Sequence, residues 1–280
     1  MSDNLSVTVD VLTAAQRVAI ARHPGRPGVA QIVDALFTDF FEQRGDLNST
    51  DDPSIMGGIA LFHGRPVTVI GNRKGADIEE RVACTFGMAS PEGYRKAQRI
   101  MRAAEKFGRP IFTFVDTSGA YPGMEAEEHG QGEAIARSIE LMSSLTVPVI
   151  SVICGEGGSG GALALAVGNR VIMLENAVYS VLSPEGFASI LWKDSSRADE
   201  ACEVMKLTAD DLLELGVIDG IIPEPAGGAH ENSAALFQVL DTQLTRELEA
   251  LSKMSPTALV NDRYRKFRAM GSTAVKRGRI

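Results

Sequence analysis

An apolar run, Val147 to Ile153, passes directly into five glycines within seven residues (Gly155, Gly157, Gly158, Gly160 and Gly161), then into an Ala/Leu stretch from Ala162. The β-branched run predicts a buried strand and the Ala/Leu stretch a helix. Glycine lets the backbone turn sharply and approach a ligand closely. A helix start leaves several N–H groups without intrahelical partners, at the positive end of the helix dipole. Strand, glycine nest and helix start together predict a site for negative charge built from backbone. Its chemistry is oxyanion stabilisation or anion binding.

The flanking sequence predicts a largely parallel α/β architecture, because strands alternate with helices of ordinary length. Residues 1–28, polar and then rich in Arg, Pro and Gly, read as an N-terminal arm, and 29–252 as the domain. Residues 253–280 read as a basic tail with Arg263, Arg265, Lys266, Arg268, Lys276, Arg277 and Arg279. Val29 to Gln43 carries Ile32, Val33, Leu36, Phe37, Phe40 and Phe41 at helical spacing. Gly58–Phe62 and Arg65–Ile70, joined by His63-Gly64, predict a hairpin. Pro91 to Phe107 predicts a helix with Tyr94, Ala97, Ile100, Met101, Ala104 and Phe107 on one face, stopped by Gly108 and Pro110. A strand over Ile111–Val115, a helix from about Glu127 to Leu145, and short strands at Arg170–Leu174, Val178–Leu182 and Val217–Ile222 follow. A long helix from about Asn232 to Leu251 closes the domain.

A net charge of −8 argues against a nucleic-acid surface. Cys84, Cys154 and Cys202 lie far apart, which argues against disulfides and a Cys-rich metal site and fits a reducing cytoplasm. Cys154, beside the nest, reads as a redox or nucleophilic thiol or as a small buried side chain. No apolar run reaches the roughly 18 residues of a membrane span, and Met-Ser-Asp-Asn does not begin a signal peptide. The expectation is a soluble, cytoplasmic protein.

Three readings fit the same glycines. Gly155-Glu-Gly-Gly-Ser-Gly160 matches a dinucleotide fingerprint, with Glu175 at the next strand end but only 15 residues on. Gly157-Gly-Ser-Gly-Gly161 matches a nucleophile elbow around Ser159, with His230 the only downstream histidine and Asp194, Asp199, Asp210, Asp211 or Asp219 between. The third needs no nucleophile: the amides of Gly160, Gly161 and Ala162 hold a developing oxyanion. A second strand-end loop, Asp116-Thr-Ser-Gly-Ala-Tyr-Pro-Gly123, arrives one βα unit earlier and belongs beside the nest at the same sheet edge. It offers Gly119, Ala120, Tyr121 and Pro122, and the nest adds Gly157, Gly158 and Ser159. A third loop, Gly71 to Asp77, brings Arg73 and Lys74, which suit a phosphate or carboxylate or stand as exposed charge.

Together Gly71-Asn-Arg-Lys-Gly75, Phe86-Gly-Met-Ala-Ser-Pro-Glu-Gly-Tyr-Arg-Lys96, the 116–123 loop, Gly155-Glu-Gly-Gly-Ser-Gly-Gly-Ala162 and Ser183-Pro-Glu-Gly-Phe-Ala-Ser-Ile-Leu-Trp-Lys193 resemble one family in one order. It is the carboxyltransferase subunit alpha of bacterial acetyl-coenzyme A carboxylase, and the resemblance runs from about Pro24 to His230. The resemblance implies a crotonase-like α/β fold, a spiral of β-β-α units with peripheral helices. It implies carboxyl transfer from carboxybiotin, on a biotin carboxyl carrier protein, to acetyl-coenzyme A, giving malonyl-coenzyme A for fatty acid synthesis. The implied partners are a carboxyltransferase beta subunit in an α2β2 assembly, that carrier protein and biotin carboxylase. The resemblance also implies no cofactor bound covalently to this chain and zinc only in beta. The Gly160, Gly161 and Ala162 amides would polarise the biotin ureido oxygen while beta holds the thioester oxygen, and departing biotin serves as base. Ser118 stands where the family usually has proline, and the N-terminal helical segment of longer relatives is short here. A decarboxylase subunit of the same fold and a non-catalytic scaffold subunit are the alternatives.

Overall fold

A computed structural model describes residues 12–271. The strands are β1 (Thr38–Glu42), β2 (Ile55–Phe62), β3 (Arg65–Asn72), β4 (Ile111–Thr117), β5 (Val149–Gly158), β6 (Arg170–Leu174), β7 (Val178–Ser180) and β8 (Gly220–Ile222). The helices before the nest are α1 (Ala14–Ala21), α2 (Val29–Leu36), α3 (Ile78–Ala83), α4 (Pro91–Lys106), α5 (Met124–Glu128) and α6 (Gln131–Ser144). From the nest onward come α7 (Ser159–Ala166), α8 (Pro184–Trp192), α9 (Ala198–Met205), α10 (Ala209–Glu214), α11 (Ser233–Leu251) and α12 (Pro256–Ala269).

One sheet runs β1-β2-β3-β4-β5-β6-β8, and β7 pairs with the far end of β5. The first three strands are antiparallel and the rest parallel. The predicted hairpin is β2–β3. Phe62 pairs with Arg65, leaving His63-Gly64 as a two-residue turn with φ of 49° and 75°. Two positive φ angles suit the right-handed twist of paired strands, and glycine takes the second without strain. β4 is buried along its whole length, as befits a central strand covered on both faces. The predicted face of α4 is buried through Tyr94, Ala97, Ile100, Met101 and Ala104. Phe107 instead caps the helix in solvent, with Lys106 and Arg109 over its ring.

Four expectations need correction. The helix over 29–43 ends at Leu36. Phe37 turns extended and packs its ring on Phe62, Phe112 and Phe114, and the following residues pair with β2 as strand β1. Tertiary pairing overrides the periodicity there. The helix near Glu127 is broken by Gly130, left-handed at φ 82°, into α5 and α6. From Thr13 the N-terminal arm is part of the packed body: a capping box starts α1, and Val18 and Ala21 are buried. Its arginines find partners inside: Arg17 donates to the Glu175 carbonyl (2.8 Å), and Arg26 to the Cys154 carbonyl (2.7 Å) and to Glu224. The tail forms α12, in which Leu259 and Arg263 are buried and Lys266 bonds Asp219 at 2.7 Å. Lys276, Arg277 and Arg279 lie outside the described residues.

Candidate functional site

The loops after β3, β4 and β5 meet at one edge of the sheet. β5 continues through the glycines to Gly158, and α7 starts at Ser159, three residues before the Ala/Leu stretch. Ser159 makes this turn in the left-handed region, at φ 51°. A non-glycine residue held there is strained, so surrounding packing must fix it. The 116–123 loop supplies that packing. A Cβ on Gly158 would overlap the Ser118 carbonyl, and one on Gly161 would lie 2.6 Å from the Ala120 nitrogen. These two glycines therefore serve loop-to-nest contact. Gly157 lies against the Tyr179 ring, and Gly160 faces Ile135 of α6 at ordinary contact distance.

With Gly158 capping α7, its carbonyl receives the first intrahelical bond, from Ala162. In this frame the Gly160 and Gly161 amides have no intrahelical partner, while Ser159 follows directly on the β5–β7 pairing that ends at Gly158 and Ser180. Of the expected donors Gly160 and Gly161 keep their place, and Ala162 enters the helix ladder. The expectation began the helix at the Ala/Leu stretch, whereas the left-handed Ser159 begins it earlier. Ser159 is exposed, Gly160 half-buried and Gly161 buried.

The neighbouring loop is pinned at both ends. Gly119 exchanges hydrogen bonds with the Thr117 hydroxyl, which donates to the Gly119 carbonyl (2.6 Å) and accepts from its amide (3.1 Å). The Tyr121 amide donates to the Ala89 carbonyl (3.0 Å), and the Tyr121 carbonyl accepts from Gln131 (2.9 Å). The Tyr121 ring folds back over Gly123, and Pro122 is exposed. Ser118, in place of the proline, projects outward while its carbonyl meets Gly158.

Beside the nest a cavity of about 380 Å³ is lined by Arg22, Arg73, Lys74, Phe86, Ser118 and Glu156, among others. The two cations expected to meet an anion differ in state. Arg73 donates to the Pro53 carbonyl (3.2 Å), with no carboxylate in salt-bridge range among the described residues. Lys74 lies between Asp116 (2.7 Å) and Glu156 (3.1 Å). Burial pulls its ammonium pKa down, but the two carboxylates outweigh that and hold it above the ordinary lysine value. Arg22 continues the chain of charges to Glu156 (2.7 Å) and Glu185 (2.6 Å). Its hydrogen bond lowers the Glu185 carboxyl to about 2. Sequence pattern alone does not single out Arg22, Asp116, Glu156 and Glu185 as one cluster, although Asp116, Glu156 and Glu185 each lie inside a motif.

The competing motifs lack their partners. His230 stacks on His23 at 3.7 Å and approaches Glu231 at 3.4 Å. His63 is held by Asp241 and His129 by Glu92. No histidine among the described residues activates Ser159. Glu175 accepts from the Glu224 amide (2.9 Å), so the acid of the dinucleotide reading is tied down. Cys154 is buried, and burial together with Asp116 pushes its thiol pKa far up, against a thiolate role.

What the geometry offers is a fixed set of backbone donors at a helix start, without a nucleophile–base pair. Residues 2–271 match the family model described as acetyl co-enzyme A carboxylase carboxyltransferase-like. The acetyl-coenzyme A carboxylase carboxyl transferase subunit alpha of Listeria monocytogenes serotype 4b is 54% identical over 260 residues, covering 93% of this chain and 82% of that protein. The subunit alpha of Anoxybacillus flavithermus is 57% identical over 255 residues, covering 91% and 78%.

The chain belongs to this carboxyltransferase alpha-subunit family.

Solved structures place it on the crotonase-like carboxyltransferase fold. The transcarboxylase 12S core, solved with methylmalonyl-coenzyme A and methylmalonic acid bound, superimposes with a TM-score of 0.67 at 18% identity, covering 85% of this chain and 44% of that one. A Pseudomonas malonate decarboxylase hetero-tetramer in complex with coenzyme A gives 0.65 at 18% identity, covering 80% and 89%. Likeness at this identity concerns the fold.

Proposed function

We propose that this chain is the alpha half of an acetyl-coenzyme A carboxyltransferase, completing its site with a beta subunit. The supporting observation is the glycine-bordered start of α7, where the Gly160 and Gly161 amides have no intrahelical partner and the 118–121 loop packs on Gly158 and Gly161, in a chain of this family. Carboxyl transfer breaks the N–C bond of carboxybiotin, leaving negative charge on the ureido oxygen. The biotin anion then takes a proton from the acetyl methyl group, and the enolate attacks the released carbon dioxide to give malonyl-coenzyme A. Two oxyanions develop, and neither needs a side-chain nucleophile. The nest amides serve the ureido oxygen, with Gly119 to Pro122 and Gly157 to Ser159 forming the biotin-facing wall and Arg73 a cation at the cavity. Beta serves the thioester oxygen and carries the zinc. The α2β2 assembly receives carboxybiotin from its carrier protein, charged by biotin carboxylase, in a reducing cytoplasm that suits three free buried cysteines. No described helix is long and apolar enough to cross a membrane.

Purified chain alone is expected to form no malonyl-coenzyme A, and mixing with the beta subunit to restore carboxybiotin-dependent formation. Turnover by the single chain overturns the shared site. A mixture that assembles yet only decarboxylates malonyl groups replaces the carboxylase reading with the decarboxylase one.

A further inference from the structure

The parallel pairing of β4 and β5 slips just before the nest. Val115 pairs with Ile153, and the next pair is Thr117 with Gly157, so Asp116 alone faces three residues, Cys154, Gly155 and Glu156. Such a bulge breaks the ladder and re-aims whatever follows it. Here side chains replace the lost ladder bonds. Asp116 Oδ1 accepts from the Glu156 amide at 2.9 Å, and Arg26 Nε donates to the Cys154 carbonyl at 2.7 Å. Gly155 passes so close to the Asp116 carboxylate that a Cβ there would overlap it.

Everything then depends on where the Asp116 carboxylate stands, and Lys74 holds it. Its ammonium lies 2.7 Å from the same Asp116 Oδ1 and 3.1 Å from Glu156 Oε2. Lys74 comes from the loop after β3, so one side chain ties the ends of three adjacent strands. We propose that Lys74 is a positioning residue: by fixing Asp116 it sets the bulge at 154–156 and so the placement of the Gly160 and Gly161 amides. It is not a ligand for the substrate anion. The inference rests on the proposed function only for its kinetic consequence, since the bulge is a property of the chain itself.

The rival account is charge balance. Asp116, Glu156 and Glu185 face only Lys74 and Arg22 in this cluster, and removing a buried cation leaves carboxylates unpaired. Lys74→Met, Lys74→Arg and the double variant Lys74→Met/Glu156→Gln separate the two. Amide hydrogen exchange of the isolated chain is read by mass spectrometry, and turnover in the assembly with beta. Exchange over 154–158 is expected to speed up by roughly tenfold in Lys74→Met, with β6 unchanged, because only the local opening equilibrium shifts. Turnover should fall by about 10²-fold, the usual cost of a donor displaced by about an ångström, with KM for acetyl-coenzyme A little changed. Lys74→Arg should recover most of both, and the double variant neither. A double variant that exchanges and turns over like wild type overturns the proposal in favour of charge balance. A uniform loss of protection, or failure of both Met-containing variants to fold, overturns it in favour of a general stabilising role. Wild-type assembly without carboxyl transfer would refute the proposed function while leaving the exchange result to decide on Lys74.

Discussion

Ser159 has the sequence surroundings of a catalytic nucleophile and the strained backbone of one, at φ 51°. Its chemistry is set by neighbours it lacks. The two stacked histidines, His23 and His230, occupy each other, and the remaining two pair with Asp241 and Glu92. An unactivated serine hydroxyl contributes little beyond its backbone amide. Ser159→Ala is therefore expected to keep malonyl-coenzyme A formation within roughly tenfold of wild type in the assembled enzyme, since the oxyanion donors stay in place. Covalent labelling of Ser159 by a fluorophosphonate, or a loss of several orders of magnitude, would restore the nucleophile reading.

At the scale of elements, the nest works because loop 118–121 packs into glycine-sized gaps on it. Adjacent glycines should answer differently to the same added methyl group. In Gly161→Ala the Cβ meets the Ala120 nitrogen at 2.6 Å and the Gly119 carbonyl carbon at 2.6 Å, and backbone cannot yield cheaply. A loss of about 1–3 kcal/mol in urea unfolding, with a fall in activity, is expected from this overpacking. In Gly160→Ala the nearest atom is a side-chain methyl of Ile135 at 3.4 Å. That change should be neutral or stabilise by up to about 1 kcal/mol through the unfolded chain. Equal costs at both positions would contradict the described loop-to-nest packing.

Two expectations concern the whole molecule. Deleting residues 253–280 removes α12, with buried Leu259, the Arg263–Asn169 bond (2.5 Å) and the Lys266–Asp219 pair (2.7 Å). A loss of about 2–5 kcal/mol, seen as a lowered Tm, is expected from the exposed core alone. An unchanged Tm would return the segment to the status of a solvated tail. The second is acid stability. Burial pushes the Asp46 carboxyl up, but the Ser49 and Asn48 amides and Arg95 outweigh it and hold it at about 2. A carboxyl whose folded pKa is depressed stabilises above its unfolded value, near pH 4, and loses that contribution as pH falls toward 2. The advantage of wild type over Asp46→Asn in urea midpoint should thus be constant above about pH 5 and shrink between about pH 4 and 2. Parallel profiles down to pH 2 would remove Asp46 from the account.

The sequence by itself determined the elements whose signals are local. The hairpin was legible in His63-Gly64, the strand before the nest in its β-branched run, α4 in its periodic face, and α11 in its length. The family was legible too, because its motifs are backbone geometry written in glycine and proline. Other features were decided only by tertiary structure. Phe37 gave up a helix for an aromatic cluster formed by residues up to 77 positions away, such as Phe114. Charge is usually exposed, yet Arg17, Arg26 and Arg263 are buried and each has a partner distant in sequence within the fold. The α7 frame moved by three residues because Ser159 turns left-handed against a loop 40 positions earlier, which no propensity scale encodes. Lys74, Asp116 and Glu156 meet for the same reason. Parallel strands bring their ends together in space, and the pairing that aligns them is long-range.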